Sequence, residues 1–124
     1  MAEFREVFEA YGASYEATMA RFMYNETTYL RFLDMLFQDD NLQKLGDALD
    51  RGALKSAFEA AHTLKGVVGN MGLTPLYKAV CAIVEPLRTG EGRCDYPTLY
   101  EAVRTEFEKA DDLRKRLKGG GYDV

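Results

Sequence analysis

The stretch His62-Thr63-Leu64-Lys65-Gly66-Val67-Val68-Gly69-Asn70-Met71-Gly72 contains the only histidine of the chain and three glycines, in a segment that otherwise favours helix. Glycine inside a helix costs up to about 1 kcal/mol relative to alanine, so repeated glycine indicates a demand from packing or function. At about 100° per residue, Gly66 and Gly69 share the helical face of His62, and Lys65 lies beside them. The pattern predicts an imidazole next to bare backbone, with a cation within reach.

Composition and charge describe an ordinary single domain and exclude several function classes. The chain has 124 residues, of which 47% are apolar, which is enough for a real hydrophobic core. A net charge of −4 argues against general nucleic-acid binding, which needs a basic face. No apolar run approaches the roughly 18 residues of a membrane span, and residues 1–9 lack the apolar segment of a signal peptide. We therefore expect a cytoplasmic protein that binds neither nucleic acid nor membrane.

Apolar residues recur at three- and four-residue spacing along the chain, and almost no strand signal interrupts them. Helix starts are predicted at or just after Phe4, Ser14, Asn25, Asp39-Asp40-Asn41, Ala53, Thr74 and Asp95. This order predicts an all-α fold, an antiparallel four-helix bundle with a short helical cap at the amino terminus. We expect one domain over residues 1–124, with its core at about 14–118 and a loose tail at 119–124.

The central predicted helix runs from about Ala53 to Met71 and turns His62 away from the core. Its apolar stripe contains Leu54, Ala57, Ala61, Leu64, Val68 and Met71. His62 points away from the middle of this stripe, so we expect a solvent-exposed imidazole. Phe58 lies one turn earlier on nearly the same face, where it can dock a partner or form the edge of the core.

Several kinds of site could use an exposed histidine. A metal site would need further ligands at helical spacing, and neither a second histidine nor a cysteine stands there. Cys81 and Cys94 fit neither a disulfide framework nor a zinc pattern, but a nucleophilic pair of His62 with a cysteine stays open. The imidazole can also be the nucleophile itself, because its neutral form carries a free lone pair. A phosphoryl group would suit it, since Lys65 can supply positive charge to the phosphoryl oxygens.

The segment Ala61 to Leu73 resembles the signature of histidine phosphotransfer (HPt) domains, the intermediate carriers of bacterial multistep phosphorelays. The likeness extends to the preceding helices and covers roughly residues 14–90. The resemblance implies that His62 accepts a phosphoryl group from a receiver-domain aspartate and passes it to another receiver. It also implies that Lys65 steadies the phosphoryl oxygens, and that Gly66 and Gly69 let the partner approach closely.

The same resemblance implies a phosphocarrier rather than an enzyme, with no cofactor of its own because the Mg²⁺ belongs to the receiver. Its partners would be response-regulator receiver domains and a hybrid histidine kinase, and we expect the chain itself to be a monomer. One position departs from the family pattern: Val84 stands 22 residues after the histidine, where many members carry an acidic residue or glutamine. The next residue, Glu85, is a candidate to orient the imidazole instead. The alternative function is a helical adaptor that keeps the HPt fold without carrying phosphate.

Overall fold

The computed structural model describes residues 3–119, which form seven α-helices. The helices are α1 (Phe4–Tyr11), α2 (Tyr15–Ala20), α3 (Glu26–Gln38), α4 (Asn41–Asp50), α5 (Leu54–Asn70), α6 (Thr74–Arg88) and α7 (Tyr96–Lys118). Apart from Gly119, the tail expected at residues 119–124 lies outside the described part of the chain.

Side-chain caps explain two of the helix starts that the sequence predicts. The Ser14 hydroxyl accepts a hydrogen bond from the Ala17 amide at the start of α2, and the Asn25 side chain accepts one from the Thr28 amide at the start of α3. Asp95 precedes α7 as expected, but its side chain makes no cap hydrogen bond. Its carboxylate is instead bound by Arg93, at 2.6 Å.

Helices α4 to α7 form a closed ring of neighbours, in which α4 packs on α5, α5 on α6, α6 on α7 and α7 back on α4. Short connections make successive helices antiparallel, so the all-α four-helix bundle is confirmed. Helices α1 and α3 also pack on α7, and α2 contacts α1. No helix within residues 3–119 is long and apolar enough to cross a membrane.

The carboxyl end of α5 is capped by backbone hydrogen bonds and by side chains from the amino-terminal part of the chain. The Leu73 amide donates to the Val68 carbonyl and the Gly72 amide to the Gly69 carbonyl, which is a Schellman motif. Gly72 adopts a positive φ of 71° there, and a Cβ on it would collide with the Thr18 hydroxyl. Gly72 is therefore needed for the helix to end where it does.

Tyr29 provides one of these side-chain contacts. Its hydroxyl donates to the Met71 carbonyl at 2.8 Å, and its ring is fully buried. Phe4, Phe8 and Phe22 pack edge-on around that ring, with centroid distances between 5.2 and 6.2 Å. The amino-terminal helices thus hold the histidine-bearing helix in place at its end.

Candidate functional site

His62 lies on the solvent side of α5. The helix buries Ala57, Ala61, Leu64 and Val68 in the bundle, whereas His62 is exposed. This confirms the orientation that the apolar stripe predicts, because at about 100° per residue His62 lies on the far side of the helix from the middle of the buried row. The imidazole is therefore accessible to a partner.

An open groove on this face joins residues from α5, α6 and the segment after α2. It is lined by Arg21, His62, Lys65, Gly66, Gly69, Asn70 and Tyr77. Two of these residues are cationic and none is acidic, although the whole chain carries a net charge of −4. The groove therefore concentrates positive charge beside the only histidine, which favours an anionic group there.

Arg21 is a groove residue that the sequence pattern does not reveal. Its guanidinium donates to the Gly69 carbonyl at 3.2 Å and to the Asn70 carbonyl at 2.9 Å. These carbonyls belong to the last turn of α5, where a cation also interacts favourably with the helix dipole. Arg21 is thus held at one end of the groove, with Lys65 between it and His62 along α5.

The glycines of the groove have different surroundings. A Cβ on Gly66 would meet nothing within 4 Å, so its missing side chain leaves open space above the helix. A Cβ on Gly69 would lie 3.0 Å from the Tyr77 ring, so this glycine also serves packing inside the chain. The surface at Gly66 is therefore open to solvent, whereas the absence of a side chain at Gly69 makes room for the Tyr77 ring.

Tyr77 is a further groove residue that sequence reasoning missed. It lies on α6 with its ring against Gly69, and Cys81 follows one turn later. A hydrogen bond with the Cys81 side chain raises the pKa of the Tyr77 hydroxyl above its usual range. Cys81 is half-buried and Cys94 exposed, and neither lines the groove of His62.

Phe58 contacts the imidazole of His62, whereas Glu85 is paired with Arg88 on α6. The Phe58 ring stacks on the His62 ring, with a centroid distance of 5.4 Å and an interplanar angle of 29°. The Glu85 carboxylate lies 3.6 Å from the Arg88 guanidinium, and the same guanidinium lies over the Phe58 ring. Val84 is fully buried in the core.

A larger cavity of 770 Å³ lies elsewhere, between α4 and the start of α7. It is lined in part by Leu49, Cys94, Tyr96 and Tyr100 and does not include His62. Among residues 3–119, no three His, Cys, Asp or Glu side chains are grouped so that they could hold a metal ion.

Comparison with family models identifies the class of this domain. The family model for the Hpt domain matches residues 31–113, more than half of the chain and the whole of α4, α5 and α6. No curated protein and no solved structure gives a significant match. The chain belongs to the Hpt domain family, whose members are phosphocarrier modules that work with the receiver and kinase components of phosphorelays.

Proposed function

We propose that this protein is a phosphorelay intermediate, in which His62 accepts a phosphoryl group from a receiver-domain aspartate and passes it to a second receiver. The observation that carries the proposal is the exposed, single imidazole in a groove with two cations and no carboxylate. A nucleophile for phosphoryl transfer needs in-line access and positive charge near the transferring oxygens, and this groove offers both.

The transfer step follows from the chemistry of the two groups. The lone pair of one neutral imidazole nitrogen attacks the phosphorus of the aspartyl phosphate, a nitrogen–phosphorus bond forms, and the phosphorus–oxygen bond to the aspartate breaks. The bonding electrons leave with the aspartate as a carboxylate. The reverse sequence on another receiver aspartate returns the imidazole to its free state, so the chain carries the group without consuming it.

Two side chains would act on the phosphoryl oxygens and on the approaching partner. Lys65 is half-buried one turn after His62, so its ammonium group can reach a phosphoryl group on the imidazole. The open space above Gly66 would admit the receiver's backbone and side chains. In this proposal the receiver supplies Mg²⁺, the chain needs no cofactor, and it works as a cytoplasmic monomer with receiver domains and a hybrid histidine kinase as partners.

Transfer from labelled receivers tests the proposal directly. The purified chain is incubated with a panel of phosphorylated receiver domains from its own genome, and label on the chain is measured over time. We expect labelling of the unmodified chain and none of His62→Gln, with an acid-labile bond typical of a phosphoramidate. Because His62 is exposed, His62→Gln should leave helical content and the melting temperature nearly unchanged.

Thr63→Ala is the matched control, because Thr63 is the exposed hydroxyl next to His62. It should be labelled as well as the unmodified chain. Undiminished labelling of His62→Gln would show that another residue is the acceptor. A receiver that binds the chain without ever labelling it would support the adaptor function instead.

A further inference from the structure

The imidazole of His62 is held from one side by an aromatic ring of its own helix. Phe58 stacks on it at 5.4 Å between centroids and 29° between planes, within the range of favourable aromatic pairs. Phe58 is half-buried and packs against the hydrophobic core. The ring that faces the imidazole is therefore anchored in the bundle, and it can fix the plane of its exposed neighbour.

A cation covers the same phenyl ring. The Arg88 guanidinium carbon lies 5.4 Å from the centroid of the Phe58 ring. The Glu85 carboxylate, which is on α6 like Arg88, lies 3.6 Å from that guanidinium. A guanidinium over an aromatic face is attracted by the negative charge of the ring face. Phe58 is thus fixed by the core and by α6, in addition to its own helix.

No hydrogen-bonding side chain of α6 stands where the resemblance would place one. Val84, 22 positions after the histidine, is fully buried and has neither donor nor acceptor in its side chain. We propose that Phe58, steadied by Arg88, is the positioning residue of His62 and replaces that missing hydrogen bond. This inference rests on the proposed function, since it concerns how the same imidazole is presented to the receiver.

Stacking and hydrogen bonding orient a histidine in different ways. A hydrogen bond to one nitrogen fixes both the ring plane and the nitrogen that carries the proton. A stacked phenyl ring fixes the plane and leaves the edge of the imidazole, with both nitrogens, toward solvent. His62 is therefore presented in a set plane while either nitrogen stays free to exchange its proton with water.

The single histidine allows a direct spectroscopic test. In proton NMR of the full chain without a histidine tag, every imidazole carbon-bound proton signal belongs to His62. The ring current of Phe58 should displace these signals from the positions of free histidine. Phe58→Leu should remove the displacement and Phe58→Tyr should retain it. Phe107→Leu is the matched control, because Phe107 is also half-buried and packs on an aromatic ring, edge-on against Phe37, but lies on α7.

Transfer kinetics then separate positioning from docking. With a receiver that labels the unmodified chain, Phe58→Leu should lower the rate at saturating receiver by about two- to tenfold, which corresponds to the loss of one aromatic pair. The receiver concentration for half-maximal rate should stay unchanged, and Phe58→Tyr should restore the rate. Arg88→Gln should lower the saturating rate by a smaller factor, because it loosens Phe58 without removing it.

Three results would overturn the proposal. Unchanged His62 signals in Phe58→Leu would show that the rings are not stacked in solution. A higher half-maximal concentration with an unchanged saturating rate would make Phe58 a docking residue. A larger loss of saturating rate in Glu85→Gln than in Phe58→Leu would assign the orientation to Glu85. If no receiver labels the chain at all, the proposed function fails, while the NMR comparison still decides the stack.

Discussion

Replacing Gly66 with alanine should stabilise the protein while impairing its transfer activity. The added methyl group meets nothing within 4 Å, so the change carries no packing penalty. Alanine in the middle of a helix is favoured over glycine by about 0.5–1 kcal/mol. For a 124-residue chain, with an unfolding entropy of about 2.1 cal/mol/K per residue, this gain raises the melting temperature by roughly 2–4 °C.

The same methyl group lies in the groove, one turn from His62. It should raise the receiver concentration needed for half-maximal transfer, and Gly66→Leu should raise it much further, because a longer side chain fills the space a partner needs. Stability and transfer therefore change in opposite directions. The measurements are thermal unfolding by circular dichroism and phosphoryl transfer at several receiver concentrations.

Gly69→Ala is the control for the stability half of this prediction. The Cβ of an alanine at position 69 would lie 3.0 Å from the Tyr77 ring, which must then shift by a few tenths of an ångström. The gain in melting temperature should therefore be smaller for Gly69→Ala than for Gly66→Ala. A lower melting temperature for Gly66→Ala would contradict the expectation that a methyl group at this position meets no other atoms. Unchanged transfer by Gly66→Leu would refute the role of Gly66 as clearance for the partner.

Two further predictions concern charge. Lys65→Ala should slow transfer by about tenfold even at saturating receiver, since one charge-assisted hydrogen bond to the phosphoryl group is lost; rescue by high receiver concentration would contradict this role. Hydrogen bonds from Lys118 and Arg114 lower the pKa of Asp34 in the folded protein. The ionised carboxylate therefore stabilises the fold above about pH 4, the pKa range of an unfolded aspartate. This contribution is lost as the pH falls through the lowered pKa. Asp34→Asn should therefore be less stable than the unmodified chain in urea at pH 7, with a difference that shrinks at pH 2; an equal difference at both pH values would exclude the charge as its cause.

The sequence predicts the fold well because local signals and the global packing agree. Ser14 and Asn25 are good capping residues and do cap helices, and the apolar stripe of α5 places His62 outside. Asp95 shows the limit of such local reasoning. Its carboxylate can satisfy either the amides of α7 or the nearby Arg93, and the charged pair is the stronger interaction.

The site can be predicted only in part from the sequence, because local patterns do not show which distant residues the fold brings together. His62, Lys65, Gly66 and Gly69 lie on one helix, so their spacing already places them together. Arg21 comes from a different part of the chain and reaches the groove through its bonds to the end of α5, which no local pattern encodes. The roles of all these residues in transfer stay predictions until they are measured.

The capping of the carboxyl end of α5 by Arg21 and Tyr29 decides which part of the chain could be transferred to another protein as a folded unit. The family match begins at residue 31, so a chimera built on residues 31–113 would omit both side chains. The Met71 carbonyl would lose its buried partner, and the aromatic cluster of Phe4, Phe8 and Phe22 around Tyr29 would be gone. A transplantable version of this histidine helix must therefore carry α1, α2 and the start of α3 with it, although none of these helices bears the reactive residue.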